Sequence, residues 1–307
     1  MKIGTSVSAR LLGNKKYTDL LIRHFDCLYS DSNFNSPDQI KRAKLISQFA
    51  ADHDKSLRGN CLISHYQQPD KHLIKSKLLT FYEIKEWECV HEVIGYKNFR
   101  KGWNQEKLEA CFLMAKEQRS DSLLFYADYF REESKWEKCY QILEVALAKE
   151  IPIDGLSVQL MANLRPSILN PGTLDLKMTQ KWIKKIKADF NIKICAPETV
   201  VWQPINFNRS VDFIQECVNL KYACNYKKEV LRSFSNLLLT PFNIDFLQLK
   251  AYQQIISVCY DCVDLIGFWS AFDASPWNWY GNRCKAGLWD DDFQPKKAAD
   301  VLLMFKG

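Results

Sequence analysis

Trp87-Glu-Cys-Val-His-Glu92 and Ile192-Lys-Ile-Cys-Ala-Pro-Glu198 are the two runs whose reading decides the fold of this chain. Each is short and mostly apolar, as a strand buried on both faces should be, and each ends in a glutamate. A carboxylate at the carboxyl end of a strand lies at the mouth of a parallel barrel, where such folds carry their chemistry. Working outward, short apolar segments alternate with helix-period segments along the whole chain, the rhythm of repeated βα units. Strands are predicted at 2–7, 26–29, 58–63, 87–91, 122–126, 155–159, 192–196 and 265–269. Eight parallel strands with intervening helices predict an α/β fold, a (β/α)8 TIM barrel.

Amphipathic helices are predicted at 38–52, 105–117, 135–149, 179–190 and 246–259, with Pro37 and Asn104 at helix starts. At 307 residues the chain is long enough for one such barrel, so 1–307 reads as a single domain. One connection, about 203–245 after the seventh strand, is long enough to be an insertion. Its own helical pattern at 211–234 makes it either a wall of the mouth or a surface decoration.

The net charge of +6, from 42 basic and 36 acidic residues, is scattered and reads as solvated surface, with no nucleic-acid site. No stretch approaches the roughly 18 apolar residues of a membrane span, so no membrane partner is expected. Met1-Lys-Ile-Gly-Thr-Ser6 lacks the apolar core of a signal peptide. The expectation is a soluble, cytoplasmic protein, or a secreted one if a leader was removed. Eleven cysteines, several inside apolar runs, fit reduced thiols packed as small hydrophobes. Cys259-Tyr-Asp-Cys262 has redox or zinc spacing, but lacks a second pair and reads as buried or helix-end thiols.

Further segments fall in an ordered series: Tyr17-Thr-Asp-Leu-Leu with His24-Phe25; Arg58-Gly59 through His65-Tyr-Gln67-Gln-Pro69; Asp128-Tyr129; Ile151-Pro-Ile-Asp-Gly155 with Gln159; Gly267-Phe-Trp269 with Asp273 and Trp277; and Leu288-Trp-Asp290 through Gln294-Pro-Lys296. With the two glutamate runs, this order resembles glycoside hydrolase family 10, the xylanase-type (β/α)8 barrels. Trp87-Glu-Cys-Val-His-Glu92 is similar to the family's Trp-Asp-Val-Val-Asn-Glu, and Glu198 falls where its Thr-Glu-Leu-Asp nucleophile lies.

The resemblance implies a retaining β-glycosidase with Glu92 as acid/base, Glu198 as nucleophile, and no metal or cofactor. Retention needs the two carboxyls about 5–5.5 Å apart. A basic side chain plugging the gap between them would leave only the architecture standing. The resemblance further implies that His65, Gln67 and His91 reach sugar hydroxyls, that Gln159 binds substrate next to the nucleophile, and that Asn33 is substrate-binding. Trp269 and Trp277 would offer flat faces to a sugar ring while Asp273 orients neighbours. The partner would be an oligosaccharide or polysaccharide of xylan type.

Several pocket positions depart from the family's pattern. His91 stands for an asparagine that binds the 2-hydroxyl, Ser64 for a tryptophan, Asn60 and Met161 for histidines, and Val200 for an aspartate. Ala127 and Phe130 displace two asparagines. Apolar neighbours at Met161 and Val200 predict a raised pKa for Glu198. The alternative reading is a catalytically impaired barrel kept as a carbohydrate-binding or scaffold protein.

Overall fold

The computed structural model describes residues 1–30, 34, 36–94, 102–163, 174–204, 241–274 and 284–305. Asn33, Trp277 and most of the predicted insertion, 205–240, lie outside the described residues.

Eight strands alternate with helices: β1 (Lys2–Val7), α1 (Lys15–His24), β2 (Cys27–Ser30), α2 (Pro37–Asp52), β3 (Ser56–Ser64), α3 (Lys71–Thr80), β4 (Glu86–His91), α4 (Gln105–Gln118), β5 (Leu123–Asp128), α5 (Glu133–Ala148), β6 (Gly155–Asn163), α6 (Leu176–Phe190), β7 (Lys193–Pro204), α7 (Pro241–Cys259) and β8 (Leu265–Phe268). The strand order is β6-β5-β4-β3-β2-β1-β8-β7, and a β6–β7 pairing closes it into a barrel. A two-residue strand, β9 (Cys284–Lys285), adds antiparallel to the far end of β7. The eight predicted strands are all present, each within a few residues of its expected start. Two helices, α1 and α3, have no counterpart in the sequence-based expectation.

Helix starts follow local chemistry. Ser36 accepts the N–H of Gln39 ahead of Pro37, and the Asn104 and Asp70 side chains cap α4 and α3 in the same way. One buried cluster inside the strands is of mixed character: Cys27, Tyr29, Phe125, Cys195 and Leu265 pack together. Tyr29 fits because Gly4 and Gly267 flank it; a Cβ on either would run into its phenol. The eight cysteines whose side chains are described are free and buried, Cys259 and Cys262 among them. Among the described residues no helix is long and apolar enough to cross a membrane.

The chain divides into two compact units. The first is made of 1–160, 175–199 and 258–269, the second of 161–174, 200–257 and 270–307. In the second, Tyr252 donates to Ala286 O (2.9 Å) and accepts the N–H of Val201 (3.1 Å), and Phe272 stacks on Trp289 at 5.0 Å. Glu92 and Glu198 both belong to the first unit.

Candidate active site

Three strands of the first unit lose their regular register near the same end. β3 shifts against β4 between Asn60 and Ile63, β4 against β5 between Glu88 and Val90, and β7 against β8 between Ala196 and Thr199. Such irregularities re-aim side chains that strict alternation would point elsewhere. The residues they bracket, Asn60, Glu88 and Glu198, converge with His65, His91, Glu92 and Gln159 in one buried cluster.

Glu92 and Glu198 are nearly inaccessible, at 4% and 6% exposure. Gln159 Nε2 donates to Glu92 Oε1 at 2.9 Å, and His65 Nδ1 lies 3.3 Å from Glu92 Oε2. Asn60 Nδ2 donates to Glu198 Oε1 at 3.4 Å. Between the two sits His91, with Nε2 3.2 Å from Glu198 Oε1 and 3.0 Å from Gln159 Nε2, and Nδ1 3.9 Å from Glu92 Oε1. A basic ring thus lies between the two glutamates, the arrangement that was expected to leave only the architecture standing. Glu88 Oε2 faces the same ring at 3.5 Å.

Burial of the ring opposes its protonation, yet the charges of Glu92 and Glu198 and the hydrogen bond to Glu198 outweigh it. The imidazole is held protonated well above its ordinary 6.5. Burial also lifts Glu198 above the usual carboxylate range, as the apolar setting predicted; His91 works against the rise, and Glu88 and Glu92 add to it.

The backbone around Glu92 is held under constraint. Its φ of 61° lies in the left-handed region, which costs a non-glycine residue on the order of 1 kcal/mol. The Glu92 N–H donates to Ala127 O (2.8 Å), and Asp128 Oδ2 accepts the N–H of Ile94 (2.6 Å). Asp128 is wholly buried, and that burial raises its pKa to about 6 against hydrogen bonds from Tyr126, Ile94 and Tyr129.

The other expected residues are placed less uniformly. Gln67 turns its side-chain oxygen back onto Ser64, accepting from the N–H (3.0 Å) and the hydroxyl (3.1 Å). Trp269 ends the first unit beside β7, its backbone N–H donating to Thr199 O at 3.2 Å. Asp273, in the second unit, accepts from Gly287 N–H (2.7 Å) and pairs with Lys296 (3.1 Å). Glu88 was missed from sequence; the signal was a charge inside an otherwise apolar strand run.

The family model for glycosyl hydrolase family 10 matches residues 1–192. The chain belongs to this family. The match takes in Glu92 and stops six residues short of Glu198. Among curated relatives, the chain is 28% identical over 224 residues to endo-1,4-beta-xylanase A of Caldicellulosiruptor saccharolyticus, covering 58% of this chain and 65% of that one. It is 23% identical over 327 residues to endo-1,4-beta-xylanase A of Caldicellulosiruptor sp. (strain Rt8B.4), covering 89% of this chain and 46% of that one. The chain therefore spans less than two thirds of the length of these relatives. A Thermobacillus composti GH10 xylanase shares the fold at TM-score 0.74 and 22% identity, with 99% of this chain and 96% of that one covered.

Proposed function

We propose that this protein is a retaining glycoside hydrolase acting on β-1,4-linked xylan-type or related oligosaccharides, with Glu92 as acid/base and Glu198 as nucleophile. The observation that carries the reading is the approach of two buried glutamates, one directly after β4 and one in β7, to opposite nitrogens of one imidazole, with Glu92 also held by the Gln159 carboxamide. Glu198 Oε1 would attack the anomeric carbon while Glu92 gives its proton to the departing oxygen. Water, activated by Glu92, would then release the glycosyl group from Glu198. His91 and Gln159, which touch the glutamates, would fix their orientation and meet sugar hydroxyls. Trp269 would stack on a sugar ring, and His65 and Gln67 would meet sugar hydroxyls; the parts of Asn33, Asp273 and Trp277 stay with what the family resemblance implies. Substrate class follows the xylanase relatives, and the altered pocket broadens it to related oligosaccharides.

The bridging ring of His91 is the specific observation that favours the second reading, an impaired barrel that binds carbohydrate without cleaving it. One set of assays separates the two. Under the hydrolase reading an aryl β-xyloside or β-cellobioside is turned over with retained configuration. Glu198→Ala abolishes that turnover with the circular dichroism spectrum unchanged. Oligosaccharide binding without release from any aryl β-glycoside would replace the hydrolase with the binding protein.

A further inference from the structure

The cluster around His91 has more acceptors than donors. Among the described residues, Glu88 Oε2, Asn60 Oδ1 and Gln159 Oε1 are all buried without a hydrogen-bond partner. Their residues are 2%, 6% and 3% exposed. One N–H at His91 Nε2 cannot serve Glu88 at 3.5 Å and Glu198 at 3.2 Å together. The His91 ring at 3.5 Å, which Glu88 shares with Glu198, gives this buried carboxylate oxygen no well-made hydrogen bond, and burial without one is costly.

We infer that Glu88 Oε2, His91 Nε2 and Glu198 Oε1 form a binding site for a borderline divalent transition-metal ion of the zinc class. The three atoms lie within 4.8 Å of one another. Ligand atoms sharing one tetrahedral ion at about 2.0–2.2 Å stand about 3.3–3.6 Å apart, close to the two spacings seen here. One imidazole with two carboxylates is a donor set that suits zinc and leaves a fourth position open. The other ring nitrogen, Nδ1, faces the Glu92 carboxylate at 3.9 Å, the side from which an acidic partner orients a ligating histidine. Both Glu88 and His91 replace residues of the family's Trp-Asp-Val-Val-Asn-Glu run. A glutamate reaches one methylene further than aspartate, and histidine brings a metal-binding nitrogen that asparagine lacks. The ion would occupy the attacking oxygen of Glu198, so it inhibits rather than assists.

Titration calorimetry of the full chain with Zn2+ alone tests the site. One high-affinity ion is expected, removable by a chelator and raising the unfolding temperature. Glu88→Gln and His91→Asn, checked for folding by circular dichroism, should each weaken binding by about 100-fold or more. Absence of binding at millimolar Zn2+, or affinity unchanged in folded Glu88→Gln, overturns the proposal. Competition between Zn2+ and an aryl glycoside rests on the hydrolase reading. If that reading fails, calorimetry still decides the site.

Discussion

The two ends of the barrel interior treat buried charge in opposite ways. Near the start of the strands, Arg58 is 1% exposed and its terminal nitrogens are both engaged, by Glu86 at 2.8 Å and by Ser157 Oγ at 2.6 Å. Its guanidinium plane also lies 3.8 Å over the Phe125 ring. Near the strand ends, Glu88, Glu92, Glu198 and Gln159 are 2%, 4%, 6% and 3% exposed, yet Glu88 Oε2 and Gln159 Oε1 have no hydrogen-bond partner. At the strand starts the terminal nitrogens of the buried guanidinium are paired and packed, and Arg58 Nε alone of its nitrogens has no partner. Charge meant for a ligand is left with capacity for one.

The largest expected effects come from removing one member at each end. Glu198→Ala should lower turnover by about 10^4-fold or more while the unfolding free energy moves little. Arg58→Ala should do the reverse. It leaves Ser157 unpaired and a void beside Phe125, and should cost about 3 kcal/mol or more of stability in urea unfolding. Loss of stability from Glu198→Ala as large as that from Arg58→Ala would erase the distinction between the ends.

The same contrast explains what could be read in advance. Strand positions were legible because runs such as Leu123–Asp128 and Gly155–Asn163 are apolar and bounded by turns. The pair Glu92 and Glu198 was legible because each glutamate closes such a run. The helices α1 and α3 were not, since Lys15–His24 and Lys71–Thr80 are only ten residues long and rich in basic residues. Nor was Glu88, because strict alternation cannot say where β4 breaks register. The bridging place of His91 depends on that break and on a similar one in β7, which bring residues more than 100 positions apart within hydrogen-bond reach.

A smaller effect is expected at the bridge itself. His91→Asn exchanges a protonated ring for a neutral amide where a sugar hydroxyl would bind. It should change the ratio of kcat/KM for xyloside over cellobioside by about tenfold, the worth of one hydrogen bond in an enclosed site. An unchanged ratio would mean the ring does not meet the substrate and belongs with Arg58 as a structural charge.

Lys77 lies between the two kinds of charge and gives the smallest and most local test. It projects from α3, is 3% exposed, and donates to Cys61 O at 2.9 Å and Leu62 O at 2.8 Å, in the stretch where β3 loses its register. No carboxylate pairs with it among the described residues, and burial lowers its pKa from 10.5 to about 8. Between those two values the unfolded chain binds more protons than the folded one, so this lysine's contribution to stability rises with pH across that window. Below about 8 its cost is at its maximum, about 3 kcal/mol. Neighbouring buried thiols such as Cys61, with a raised pKa, act in the opposite direction at high pH. The measurement is therefore the difference in urea-unfolding free energy between wild type and Lys77→Met. That difference should move in favour of wild type by about 3 kcal/mol from pH 7 to 10.5. A difference that stays constant with pH would show that the ammonium keeps its solvation, and that two carbonyls on a broken strand satisfy a charge as well as the Glu86 carboxylate satisfies Arg58.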